Sequence, residues 1–171
     1  MFHRPLSLCT VAALALLAAG AQAQSLKVKT GAWESTITST TTGLTMPPEL
    51  LAKLTPEQRA KMEQAMGARS GQPHTSSHSY CVTQKDLDED QYLERGANER
   101  CTRKVLSKTG TRVELEQSCG AGPASVSMHV VVQAISPQEV AMTADGKLST
   151  GGTIHTEMRG RWVGATCQGK G

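Results

Sequence analysis

Ala124-Ser125-Val126-Ser127-Met128-His129-Val130-Val131-Val132-Gln133-Ala134-Ile135 is the stretch that decides the fold. Ala124, Val126, Met128, Val130, Val132 and Ala134 share one parity, and Ser125, Ser127, His129 and Gln133 share the other. Side chains along a strand point alternately to opposite faces, so this is a strand with one apolar face and one wet face. Antiparallel sheets divide their faces this way, whereas buried parallel strands read as continuous apolar runs. Upstream, Cys101–Lys108 and Arg112–Cys119 flank Thr109-Gly110-Thr111 as a hairpin. With Cys101 opposite Cys119, Val105 falls opposite Leu115 and Lys104 opposite Glu116, pairs that sheets favour; a slip of one residue sets Val105 against Glu114. That register asks for a three-residue loop with Gly commonly third, yet Gly110 is second. Downstream follow an extended segment at 138–143, a turn at Asp145-Gly146, a weaker segment at 147–150 and a turn at Gly151-Gly152. The last strand, Ile154–Gly164, sets Ile154, Met158 and Trp162 against His155, Glu157, Arg159 and Arg161.

The amino-terminal half begins with another strand, Gly31–Thr42, carrying Trp33 and Ile37 on one parity. Met46-Pro47-Pro48 breaks it, and Glu49–Met66 carries helical signals. Leu50, Leu51 and Leu54 occupy a first turn or two, after which Thr55 as N-cap, Pro56 and Gln58 start a helix that Gly67 is expected to stop. Leu50, Leu51, Leu54, Met62 and Met66 form an apolar stripe beside Lys53, Glu57, Arg59, Lys61 and Glu63. Flexible Met side chains suit adaptable apolar surfaces, so these five are the candidate ligand-binding residues of a lid over the sheet. After a loop at 67–73, His74–Val82 is extended and Thr83 caps a short acidic helix through Asp90. The expected fold is mainly β, with about seven antiparallel strands in a curved sheet or partial barrel and a helical lid after the first strand. Trp33 and Trp162 are expected to be buried and adjacent, tying the first strand to the last.

The first residues, Met1-Phe2-His3-Arg4, precede an apolar run from Leu6 to Ala19 and the small-residue stretch Gly20-Ala21-Gln22-Ala23. This is the pattern of a secretory signal peptide over 1–23, leaving 24–171 as one domain. The apolar run is short of the roughly 20 residues that cross a bilayer, and no later stretch approaches that length. Cys9 leaves with the leader. The remaining four cysteines, an even number in an exported chain, read as two disulfides with three connectivities open by count. The expected pairing is Cys101 with Cys119 and Cys81 with Cys167. Lys and Arg number 18 against 15 Asp and Glu, a formal charge of +3 that includes Arg4 of the leader. So small a balance, together with export, excludes nucleic acid as the partner.

Signals for chemistry are sparse. His74 and His78 share a strand face but lie about 13 Å apart, too far for one ion. Asp86-Leu87-Asp88-Glu89-Asp90 resembles the opening of a calcium loop, but Gln91 and Ala97 stand where that loop needs Gly and Glu. No G-x-S-x-G, H-E-x-x-H or phosphate-cradling glycine loop is present. No catalytic residue, metal ligand or cofactor is assigned on this basis. The leading expectation is a non-catalytic domain that binds an apolar small molecule, a lipid or an envelope protein. The alternatives are a hydrolase-type enzyme using His74, His78, His129 or His155 with nearby carboxylates, and a purely structural envelope component.

Gly31-Ala32-Trp33-Glu34, the MPPEL and TPEQRAKMEQAM segments, SYCVT at 79–83, the two middle cysteines and RWVGATC at 161–167 together resemble the proteobacterial periplasmic family called domain of unknown function 3617. The resemblance covers essentially the whole mature chain. It implies a periplasmic home and no particular activity. A second resemblance, at the level of fold, is to lipocalins, through Gly31-Ala32-Trp33 and a basic residue, Arg159 or Arg161, placed over the indole.

Overall fold

A computed structural model describes residues 25–46, 48–91, 101–120 and 125–167. The expected signal peptide, Pro47 and Ala124 lie outside the described residues. The elements run β1 (Gly31–Thr42), α1 (Pro48–Leu51), α2 (Pro56–Arg69), β2 (Pro73–Val82), α3 (Gln84–Asp88), β3 (Cys101–Lys108), β4 (Arg112–Cys119), β5 (Val126–Ser136), β6 (Glu139–Leu148) and β7 (Thr153–Gly164). The seven strands form one sheet in the order β2-β1-β7-β6-β5-β4-β3, antiparallel at every junction. Because the number of strands is odd, the edge strands β2 and β3 run in the same direction and cannot extend the antiparallel ladder to each other.

The β3–β4 register is the expected one: Cys101 opposes Cys119, Lys104 opposes Glu116 and Val105 opposes Leu115. Both disulfides are likewise as expected, Cys101–Cys119 within this hairpin and Cys81–Cys167 between β2 and the tail beyond β7. A bulge at Leu106 resolves the conflict at the turn. Past it Lys108 pairs with Val113, the loop gains a residue, and Thr109 Oγ1 accepts from the Arg112 amide at 3.0 Å. An extra residue in one strand shifts the register and removes the need for a third-position glycine.

Two expected glycine signals are corrected. Asp145-Gly146 is no turn, because β6 runs unbroken through it and Gly146 pairs with Met128 and Ile154. A Cβ there would lie 2.6 Å from Ile154 Cγ2 and 2.8 Å from Met128 Cγ, so glycine marks a crowded place within a strand. Gly67 does not end α2 either. The helix, started by the Thr55–Gln58 capping box, continues to Arg69, and Gly71 at φ +76° turns the chain away, its amide donating to Thr41 O at 2.8 Å.

Alternation sends Trp33, Val113, Leu115, Val130, Val132 and Val140 to one face, all buried. At one end of the sheet the segment 25–30 crosses beneath the strands. The Lys27 amide donates to Gly110 O at 2.7 Å and the Lys29 amide to Pro137 O at 2.8 Å, while Leu26 is buried in the core. α3, capped reciprocally by Thr83 and Asp86, adds buried Leu87 at the same end. This end forms a floor.

Trp33 opposes Trp162 across β1 and β7, as expected for a tie between first and last strands. Their burial differs. Trp33 is 1% exposed, its indole N–H donating to Lys29 O at 2.9 Å, whereas Trp162 is only partly buried against the core. The cation over an indole is Lys29, with Nζ 4.4 Å from the Trp162 ring centroid, while Arg161 pairs with Glu34 at 2.7 Å. The lipocalin-like placement of Arg159 or Arg161 over Trp33 is therefore not the contact the protein makes.

Candidate functional site

The sheet curls far enough for residues of β1, β2, β4, β5, β6 and β7 to line one cavity of about 570 Å³, within the roughly 300–1,000 Å³ usual for small-molecule sites. Leu26, Val28, Val82 and Leu87 line its floor end. Trp33, Leu115, Val130, Val132 and Val140 make the deep wall. Beside them the lining turns to Met142, Met158 and Ile37, in the same cross-strand row as Val132, and to Met128 farther from the floor. Met158 faces Met142 on one side and Ile37 on the other, giving a cross-strand row of unbranched and branched apolar chains. Thioether side chains adapt to irregular shapes, so this half of the wall can repack around an occupant while the Val and Leu half stays fixed.

Few polar groups interrupt the lining: Ser35, His78, Tyr80, Gln117 and Thr156. The hydroxyls of Thr156 and Ser39 share a hydrogen bond at 2.7 Å, and His78 Nε2 lies 3.2 Å from Ser76 Oγ. Gln117 accepts at Oε1 from Arg103 Nη2 at 3.2 Å and from Nε at 3.4 Å, and donates to Cys119 Sγ at 3.1 Å. The register puts Arg103 directly opposite Gln117, on the concave side of edge strand β3 and at the end away from the floor.

The four histidines considered for catalysis do not converge. His78 faces the cavity, His74 is exposed four residues along the same strand, and His129 and His155 lie on the outer face. There His155 Nδ1 donates to Asp145 at 2.6 Å, with Glu157 3.6 Å from Nε2. The Asp145 hydrogen bond holds the His155 pKa above the ordinary histidine value, against a smaller opposing effect of burial. His129 Nε2 donates to Glu114 at 2.8 Å and Arg112 reaches the same carboxylate at 3.1 Å. The His129 hydrogen bond, then that from Arg112, lowers the Glu114 pKa. Among the described residues no three His, Cys, Asp or Glu side chains are placed to hold a metal ion.

None of Leu50, Leu51, Leu54, Met62 and Met66 lines the cavity. All five belong to the excursion from β1 to β2, where α1 and α2 bury no residue; Leu50 is 51% and Met62 41% exposed. Of the residues that do line the cavity, Trp33, Ile37, Met128, Val130, Val132 and Met158 were visible as the apolar parity of their strands, whereas Leu26, Val28 and Leu87 lie outside any strand. The convergence of the lining was not visible, because curvature arises from pairing among strands far apart in the chain.

Among the described residues no helix is long and apolar enough to cross a membrane. No curated protein matches the chain. The family described as protein of unknown function (DUF3617) matches residues 28–167. That span includes all seven strands, both disulfides and every lining residue of the cavity except Leu26. The chain therefore belongs to this family.

Proposed function

We propose that the protein is a non-catalytic binding domain of the periplasm whose curved sheet takes an apolar small molecule or the hydrocarbon part of a lipid. The observation that carries this reading is the cavity itself, about 570 Å³ and walled by Val, Leu, Ile, Met and Trp side chains from six strands. Two disulfides support an oxidising compartment. A series of straight-chain alkyl compounds tests the idea by calorimetry. Each added methylene that enters the cavity contributes about 0.8 kcal/mol, roughly a four-fold rise in affinity, until the cavity is full and the gain stops. Ala144 is buried and lines the cavity, so Ala144→Phe fills space and should abolish binding with the sheet intact. Absence of binding by every member of the series overturns the reading.

The exposed stripe of Leu50 and Met62 favours a second reading, in which an envelope protein docks on the helical excursion. Leu54→Glu combined with Met62→Glu should then abolish partner binding and leave alkyl binding unchanged. Loss of alkyl binding in that variant would instead assign the excursion to the cavity as its lid.

A further inference from the structure

We propose that the occupant of the cavity is a single-chain amphiphile with a carboxylate head, its tail in the cavity and its carboxylate on Arg103. This rests on the reading of the cavity as a ligand site. The first support is the distribution of charge between the two faces. Every strand carboxylate, at Glu34, Glu114, Glu116, Glu139, Asp145 and Glu157, falls on the outer parity. On the concave parity the charged strand residues are both basic, Arg103 and Lys108. Lys108, toward the floor, is already neutralised by Asp90, with Nζ 2.6 and 2.7 Å from the two carboxylate oxygens.

Arg103 differs. Among the described residues its guanidinium is held by the neutral amide oxygen of Gln117, itself a lining residue, which places the cation beside the cavity without cancelling its charge. A guanidinium presents paired donors that match a carboxylate, and such charge-assisted bonds are stronger than neutral ones. The lining between Arg103 and the floor holds no charged side chain, so a tail entering there must be apolar. The sheet thus opposes a cation at one end to a dry, Met- and Val-lined space, and an alkyl carboxylate has both complements.

Palmitate and hexadecanol share a chain length and differ in head charge, so their binding to the disulfide-bonded protein can be compared by calorimetry at neutral pH. Palmitate should bind about ten-fold tighter or more, the range of a charge-assisted hydrogen bond. Arg103→Met should bring palmitate to the affinity of hexadecanol and leave hexadecanol within about two-fold, while Arg103→Lys should recover part of the loss. Equal affinities of the two ligands for the unmodified protein overturn the head-group assignment and leave the cavity reading standing, and this comparison needs no variant to fold. Binding of neither ligand overturns both.

Discussion

Trp33 and Trp162 face each other across the same pair of strands, yet their replacement by Ala should cost different amounts. Trp33 is 1% exposed, and a fully buried aromatic side chain of this class removes about 150–250 Å² from water. At about 25 cal/mol per Å² that is roughly 4–6 kcal/mol, which a compact unfolded state reduces by about 10–40%. Trp33→Ala should thus destabilise by about 3–5 kcal/mol, the usual range for emptying an aromatic site in a core. Trp162 packs against the core with only part of its ring and keeps Lys29 over the other face, so Trp162→Ala should cost about half as much, near 2 kcal/mol. Guanidinium chloride unfolding with the disulfides intact measures both, and emission from Trp33→Phe and Trp162→Phe reports each indole alone. The remaining Trp33 should emit at shorter wavelength than the remaining Trp162. Equal losses in the two Ala variants, or water-like emission from Trp33, would sink the reasoning.

Four other outcomes are expected. Removing the Cys81–Cys167 bridge, which spans 86 residues, should cost about 4.6 kcal/mol, and removing Cys101–Cys119, which spans 18, about 3 kcal/mol, read from unfolding of the paired Ser variants. Since His155 has a raised pKa in the folded state, its contribution to stability is full below the ordinary histidine pKa of 6.5 and is lost as pH rises through the higher folded value; His155→Gln should flatten that decline in unfolding measured across the neutral range. Glu114 behaves oppositely, its contribution being present above 4.5 and lost as pH falls through the lowered folded value, so Glu114→Gln should weaken the acid dependence. Gly146→Val should destabilise by about 1–3 kcal/mol through overpacking against Ile154 and Met128, whereas Met62→Glu on the exposed helix should stay within about 0.5 kcal/mol of the parent, and amides of 56–66 should exchange faster than those of 126–132.

Parity made most of the sheet legible in the residues. The alternation from Val126 to Ala134 and the pairing of Val105 with Leu115 follow from the two-residue period, which holds whatever the tertiary context. Glycine was harder to read, because Gly146 and Gly67 have the same side chain as a turn glycine while their reasons are different. Gly146 answers a steric demand from Ile154 and Met128, which lie eight residues downstream and eighteen upstream, and no local window contains both. The candidate site shows the same limit. Leu50 to Met66 stood out as a local helical stripe, while the cavity is built from two or three inward residues of each of six strands and exists only once the sheet bends. The unequal burial of Trp33 and Trp162 likewise depends on where the segment 25–30 crosses, which strand periodicity does not encode.

Each bridge sits on an outermost strand, one on β2 and one within the hairpin that ends in β3. Those are the strands with bare backbone donors and acceptors, and β3 also shows Val105 at 47% and Leu106 at 43% exposure. Unprotected edges of this kind recruit other chains, and Arg103, Lys104 and the bulge at Leu106 are the local guards against it. For anyone producing the protein, the compartment of expression then matters more than its temperature or rate. Chain made in a reducing cytoplasm loses the staples where sheets begin to stack and should accumulate as strand-paired aggregates, while the same chain exported before folding should be recovered in soluble form.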